Sequence, residues 1–98
     1  MNYATITRDD RMHEASVTTN LLGRIETIAA AEKAVRVAGV SVWLGALSHM
    51  SASHFTEHFE RAAAGTIAEG VDLKLTVSDD LGHAQAHDIL LESVELET

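Results

Sequence analysis

Hydrophobic residues recur with helical spacing in the first long segment of the chain. They follow one another at intervals of four, four and three residues: Val17, Leu21, Ile25 and Ile28. This spacing places them on one side of an α-helix and predicts a helix over residues 14–34. Gly23 falls inside it, where glycine is about 1 kcal/mol less favourable than alanine. Close packing of another element is the one reason for it that the sequence suggests.

The hydrophobic period changes to two directly after this helix. Alternation over residues 35–44 predicts a strand. The residues expected to face the helices are Ala38, Val40, Val42 and Leu44. Ser41 and Trp43 then belong to the other face of the sheet, and Gly45 is expected to end the strand.

A second helix is indicated by apolar residues in the following segment. Phe55, Phe59, Ala62 and Ala63 share one helical face. Either Ser51 or Ser53 can cap its start, because a serine hydroxyl accepts a hydrogen bond from a free backbone N–H one turn on. Gly65 is predicted to end this helix, or to break it locally before a short turn through Ile67-Ala68.

Two further strands complete the pattern. Residues 71–77 alternate between apolar and polar side chains, which is typical of a half-buried strand. Residues 88–97 are less regular, because Leu90 and Leu91 cannot both share a face with the apolar residues after them. We therefore predict a bulge near Glu92-Ser93. The two strands are expected to be antiparallel neighbours joined by a short link.

The order of these elements is helix, strand, helix, strand, strand. It predicts an α+β fold in which two helices pack on one face of a three-stranded mixed sheet. Residues 1–11 have no clear period. A terminal tail is the first interpretation of this segment, and an edge strand added to the sheet is the alternative. The sheet face with Trp43 is then either an open partner surface or one shielded by residues 1–11.

Composition narrows the class of protein. The chain has 98 residues, enough for one small domain, and 46% of them are apolar. It has no cysteine, which excludes disulfides, iron–sulfur clusters and thiolate zinc sites. The net charge of −8 argues against nucleic-acid binding. No apolar run approaches the roughly 20 residues of a membrane helix, and no signal peptide is evident, so we expect a cytoplasmic protein.

The histidines are the candidate ligands outside the first helix. His54 and His58 are four residues apart and could clamp a metal from one side of a helix, with His49 as a third ligand. A solvated helix edge is the favoured interpretation of this pair. His83 and His87 are expected in a polar turn, and a loop that binds metal loosely is the alternative. No nucleophile–base set emerges, so we do not expect an enzyme.

Four blocks of sequence carry a family resemblance. They are Met12-His13-Glu14, Val40 to Ser48, Gly65 to Gly70, and Leu91 to Glu97. Together they resemble the HypA-type proteins, which incorporate nickel during hydrogenase and urease maturation. The resemblance implies an N-terminal extension, residues 1–11, and a nickel-binding domain, residues 12–98. In the family a cysteine-rich zinc domain precedes the last strand, whereas a short link around residues 81–87 stands here, so no zinc is expected.

The same resemblance implies a nickel site at Met12, His13 and Glu14. In the family, a free amine on the Met, the His imidazole and nearby backbone amides surround nickel in a near-planar set of nitrogens. Ni(II) accepts such square-planar nitrogen ligands. Initiation or processing at Met12 would supply the free amine. The implied role is a nickel metallochaperone that works with a maturation GTPase and a nickel-enzyme client. The alternative is a metal-free protein-interaction module with the same fold.

Overall fold

The computed structural model describes residues 6–7 and 14–98. Two helices and four strands occur in the following order: β1 (Ile6–Thr7), α1 (Glu14–Ala31), β2 (Arg36–Leu44), α2 (Ala52–Ala63), β3 (Asp72–Val77) and β4 (Ile89–Glu97). The predicted order of helix, strand, helix, strand, strand is therefore confirmed from residue 14 onward.

The strands form one sheet in the order β1-β4-β2-β3. β2 is parallel to β3 and antiparallel to β4, so the predicted three-stranded mixed sheet is confirmed. β1 adds a fourth strand of two residues, antiparallel to β4. The terminal-tail interpretation is wrong for Ile6–Thr7, and the edge-strand alternative is correct there. The other residues of the 1–11 segment lie outside the described residues.

One prediction about the sheet is wrong, because β3 and β4 are not neighbours. β2 lies between them, and two strand spacings amount to about 9–10 Å. The link over residues 78–88 therefore crosses the end of β2. There the Gly45 N–H donates to the Asp88 carbonyl at 2.9 Å, and the Leu47 N–H donates to the Ala86 carbonyl at 2.7 Å. A Cβ atom on Gly45 would overlap the Ala86 carbonyl oxygen, which explains the glycine.

Both helices share a single hydrophobic core with the sheet. The largest side chains with under 2% exposure come from both helices, β2 and β4: Val17, Leu21, Ile25, Val37, Val40, Val42, Leu44, Phe55, Phe59, Ile89, Leu91 and Val94. Burying a side chain of this size contributes about 1.5–3 kcal/mol. Since these residues form one cluster, the two helices lie on the same face of the sheet, as predicted.

Two bulges interrupt the pairing of β2 with β4. One leaves Glu92 without a partner between Leu91 and Ser93, and it confirms the predicted bulge in the last strand. The other falls at Ala38, because Val37 pairs with Leu96 and Gly39 pairs with Glu95. Val37 is buried and Ala38 only half-buried. The prediction that Ala38 faces the helices is therefore wrong, since the extra residue shifts the alternation.

The helix ends follow different rules. α1 ends at Ala31, three residues before the predicted end, and Lys33 has a φ of 56°. The Lys33 N–H donates to the Ala30 carbonyl and the Ala34 N–H to the Ala29 carbonyl. This is a Schellman motif with lysine where glycine is usual. α2 begins where predicted, because the Ser51 hydroxyl accepts from the His54 N–H at 3.2 Å.

Two glycines that the sequence singled out have different explanations. Gly65 follows α2 with a φ of 79°, in the left-handed region that glycine adopts at helix ends, which confirms the predicted stop. Gly23 lies within α1, and a Cβ atom there would meet no other atom within 4 Å. Close packing is therefore the wrong explanation for Gly23, and nothing in the structure requires a glycine at that position.

Candidate metal centre

The predicted nickel ligands stand at the beginning of α1. Glu14 is the first residue of the helix, whereas Met12 and His13 lie outside the described residues. One turn further on, Val17 and Thr18 are each 1% exposed and Leu21 is completely buried. The helix is thus fixed to the core immediately after its first turn. A metal site at Met12, His13 and Glu14 stays a prediction from the sequence.

Charge is distributed in a way that affects a cation at this helix end. The N-terminus of an α-helix carries a partial positive charge, which disfavours a bound cation. An acidic residue in the first turn offsets this charge, and Glu14 occupies the first helical position. The chain as a whole carries a net charge of −8, which raises the local concentration of cations around it.

The histidines of α2 lie side by side. The ring centroids of His54 and His58 are 5.1 Å apart, and the ring planes are tilted by 42°. His49 is exposed, with a φ of 60°, in the loop before the helix. Among residues 6–7 and 14–98, no three His, Cys, Asp or Glu residues are grouped so that they could hold a metal ion. The alternative with His49 as a third ligand is therefore wrong.

The link over residues 78–88 contributes a histidine to the second face of the sheet. The ring of His83 lies 4.9 Å from that of Trp43, with the planes tilted by 46°. The His83 Nδ1 atom accepts a hydrogen bond from the Gln85 N–H at 2.9 Å, which fixes the turn. Trp43 is half-buried, and the link covers part of this face through the ring of His83. Sequence reasoning missed the contact, because the two residues are 40 positions apart and share no pattern.

The serines near His49 have structural positions. Ser51 caps α2, as described above, and its hydroxyl lies 3.4 Å from that of Ser53. Ser48 is 7% exposed, and its hydroxyl has no hydrogen-bond partner within the described part of the chain. A buried hydroxyl without a partner costs about 1–3 kcal/mol. We have no physical account of why a serine occupies this position.

A shallow groove runs between α2 and the edge strand β3. Its volume is about 170 Å³, and its lining consists of Phe59, Glu60, Ala63, Ala68, Gly70, Val71 and Leu73. Most of these residues are apolar. The sequence did not single out this groove, although two of its apolar residues, Val71 and Leu73, belong to the predicted half-buried strand.

The helices are short relative to a bilayer. Within the described ranges, neither helix is long and apolar enough to cross a membrane.

Comparison with known proteins places these features in a family. The sequence model described as "Hydrogenase/urease nickel incorporation, metallochaperone, hypA" matches residues 12–86. The solution structure of the Ni metallochaperone HypA from Helicobacter pylori superposes with a TM-score of 0.74 at 22% identity, covering 89% of this chain and 99% of that one. A second solution structure, of HypA protein, gives 0.71 at 22% identity, covering 87% and 96%. At this identity the two structures establish the fold. No curated protein sequence matches the chain.

Proposed function

The chain belongs to the hydrogenase/urease nickel-incorporation family of metallochaperones, and we propose that it carries nickel on Met12, His13 and Glu14. It then delivers the ion to a hydrogenase or another nickel enzyme. The observation that carries this proposal is the family match itself, which begins at residue 12, the first residue of the Met-His-Glu triplet.

Each of the three residues has a distinct role in this site. The His13 imidazole is the principal ligand, because Ni(II) accepts neutral imidazole nitrogen. Met12 contributes its α-amine when the chain begins at that residue. An α-amine has a pKa near 8 and therefore gives up its proton to a metal at neutral pH far more readily than a backbone amide does. Glu14 assists with a carboxylate at the positive end of α1.

The division of the chain into residues 1–11 and a domain of residues 12–98 is part of the proposal. Its support is the position of the core. The described members of the core cluster fall between Val17 and Leu96, so a chain beginning at Met12 keeps all of these. Within the described residues, the first segment contributes the two residues of β1. Removal of this segment takes β1 away from the sheet.

The proposed partners follow from the role of a carrier. A nickel enzyme is the client, which the family description supports by naming hydrogenase and urease. A maturation GTPase, implied by the family resemblance, is the second partner. In this proposal the protein is a carrier rather than a catalyst, and it works in the cytoplasm. Nickel is its cargo. The chain has no cysteine for a thiolate zinc site.

A calorimetric nickel titration of two chains tests the ligand assignment. One chain comprises residues 1–98 and the other residues 12–98 with the initiator Met retained, each beside its His13→Ala variant. We expect the shortened chain to bind roughly one nickel ion at the triplet. It should bind that ion about tenfold more tightly than the longer chain, a difference of about 1.4 kcal/mol in binding free energy. The His13→Ala substitution should abolish this binding. Thermal unfolding of all four proteins serves as the control for folding.

Two outcomes would change the proposal. Equally tight binding in both chains that still needs His13 would show that the amine of Met12 is dispensable. No binding that depends on His13 in either chain would remove the proposed site. That result would favour the alternative function, a metal-free interaction module, with the apolar groove beside β3 as its candidate binding surface.

A further inference from the structure

We propose that His54 and His58 form a second binding site, on α2, for divalent transition-metal ions that take imidazole nitrogen as a ligand. The proposal does not rest on the Met12-His13-Glu14 segment. The sequence favoured a merely solvated helix edge for the two histidines, and the distance between their rings is the reason to go further.

The helix presents the two side chains on one side. Residues four positions apart on an α-helix are neighbours one turn from each other, and α2 is continuous from Ala52 to Ala63. His54 is exposed and His58 half-buried, so both rings reach the surface.

The helix is also held in a fixed orientation. Phe55 and Phe59 are completely buried, and their rings stack with centroids 5.9 Å apart. They prevent α2 from rotating about its axis. The Ser51 hydroxyl holds the backbone N–H of His54 at 3.2 Å. The two histidines therefore project from a rigid element, which lowers the ordering cost of chelation.

The separation of the rings fits one shared ion. A metal–nitrogen bond to histidine is about 2.0–2.1 Å long, and the bonded nitrogen lies roughly 1.2 Å from the ring centre. Two such arms that meet at about 90–110° place the ring centroids about 4.5–5.3 Å apart. The observed distance of 5.1 Å lies inside this interval. The distance between the rings is therefore compatible with one ion shared by both, once each ring turns a nitrogen toward it.

The ligands define the class of ion. Imidazole suits copper, nickel, zinc and iron, whereas magnesium and calcium prefer oxygen. Affinity for a given nitrogen site rises from nickel to copper. Each of the two histidines also has another interaction, for which an ion must compete. Within the described residues no third side chain completes the set. Water or a partner's ligand then fills the remaining positions, which suits reversible loading more than permanent storage.

The test uses the 98-residue chain with His13→Ala in every sample, so that the proposed nickel site of the N-terminal segment contributes nothing. Copper(II), nickel(II) and magnesium(II) salts are titrated by calorimetry. Beside this parent, one variant carries His54→Gln and His58→Gln. A second variant carries His58→Gln and Glu60→His. It keeps the number of histidines but places the pair six positions apart, so that the two side chains no longer share a face of the helix. A third variant carries His49→Gln and His87→Gln as a control for the number of histidines.

We expect one copper or nickel ion to bind the parent, copper more tightly, and magnesium not to bind. Affinity should fall at least fivefold in the first two variants and less than fivefold in the third. A smaller fall in either of the first two, or an equal fall in the third, would overturn the proposal. Circular dichroism confirms that the variants keep their helices.

A second measurement locates the ion directly. Copper(II) is paramagnetic and broadens the NMR signals of nearby nuclei. Substoichiometric copper should broaden the imidazole signals of His54 and His58 before those of His49, His83 and His87. Broadening of all five signals together would show general surface binding and would also overturn the proposal.

Discussion

β3 and β4 flank the same central strand, yet they are buried to very different degrees. In β4, Ile89, Leu91 and Val94 are completely buried. In β3 no residue is buried: Leu73 and Leu75 are half-buried, and Val77 is 55% exposed. β4 is covered by the helices and bordered by strands on both sides, whereas β3 is an edge of the sheet. Most of the packing energy at β2 therefore comes from its antiparallel side.

The more deeply buried strand has the less regular alternation of apolar and polar residues. β3 alternates perfectly, because one of its sides faces water and the polar residues mark that side. β4 is irregular, because the bulge at Glu92 shifts its alternation and because Leu90 is buried on the face opposite the helices. Leu91 faces the helices, and Leu90, paired with Trp43 on the other face, is only 8% exposed. A clean alternation thus marked the weaker strand of this protein, and a broken one marked the stronger.

The largest effect on stability is expected from a pair of alanine substitutions, one in each strand, which tests this comparison. Leu91→Ala removes a completely buried side chain and should lower the free energy of unfolding by about 2–5 kcal/mol. Leu73→Ala removes a half-buried one beside an open groove and should cost about 1 kcal/mol. Urea denaturation of both variants measures the difference. Equal losses would show that the edge strand carries as much packing energy as the inner one.

A smaller effect is expected at the start of α2, the helix that connects β2 to the edge strand. The sequence could not decide between Ser51 and Ser53 as its cap, and the structure assigns Ser51. Ser51→Ala should destabilise the protein by about 1 kcal/mol, the usual contribution of a serine cap. Ser53→Ala is the matched control and should cost less than about 0.5 kcal/mol. The reverse order in thermal unfolding would place the cap at Ser53.

The smallest effect concerns the far end of the β2–β4 pair, where Arg36 and Glu97 face each other. Arg36 donates hydrogen bonds to both carboxylate oxygens of Glu97, at 3.1 and 3.0 Å. These bonds and the positive charge hold the pKa of Glu97 below its usual 4.5. The ion pair therefore stabilises the fold at pH values above this usual pKa. The stabilisation is lost as the pH falls through the lowered pKa of Glu97.

The variant Glu97→Gln makes this measurable. Its melting temperature should lie slightly below that of the unchanged protein near neutral pH, and the gap should close at acidic pH. The gap should also shrink with added salt, because both side chains are about half exposed, at 51% and 52%. A gap that widens on acidification would contradict the assigned direction of the pKa shift.

Local chemistry explains which parts of the fold the sequence predicts. The positions of both helices, a serine cap before α2, the stop at Gly65 and the bulge at Glu92 each leave a residue type or a broken period in the sequence. The early end of α1 leaves none, because a lysine rather than a glycine occupies the left-handed position. The sequence does not indicate the bulge at Ala38 either, since alanine fits either face of a strand. The strand order depends on contacts between distant segments, which periodicity does not encode.

The features of the candidate metal sites also fall into two groups, those that the sequence shows and those that only the structure shows. The Met-His-Glu triplet is visible because its residues are adjacent, and the spacing of His54 and His58 because helical geometry is regular. The distance between those two rings, and the contact of His83 with Trp43, required coordinates. The sequence also offered His49 as a third ligand, and only the path of the loop before α2 removes it.

The link between β3 and β4 bears on how such a domain gains or loses whole modules in evolution. Both of its ends are fastened at the end of β2: the Ser78 N–H donates to the Leu44 carbonyl, and the Gly45 N–H donates to that of Asp88. The residues between form an exposed tip, with Leu81 66% exposed. Additional chain inserted there would leave and return at adjoining points, and each doubling of loop length costs only about 0.6 kcal/mol. The sheet can therefore accept an inserted domain at this tip, or lose one, while the register of its strands is kept.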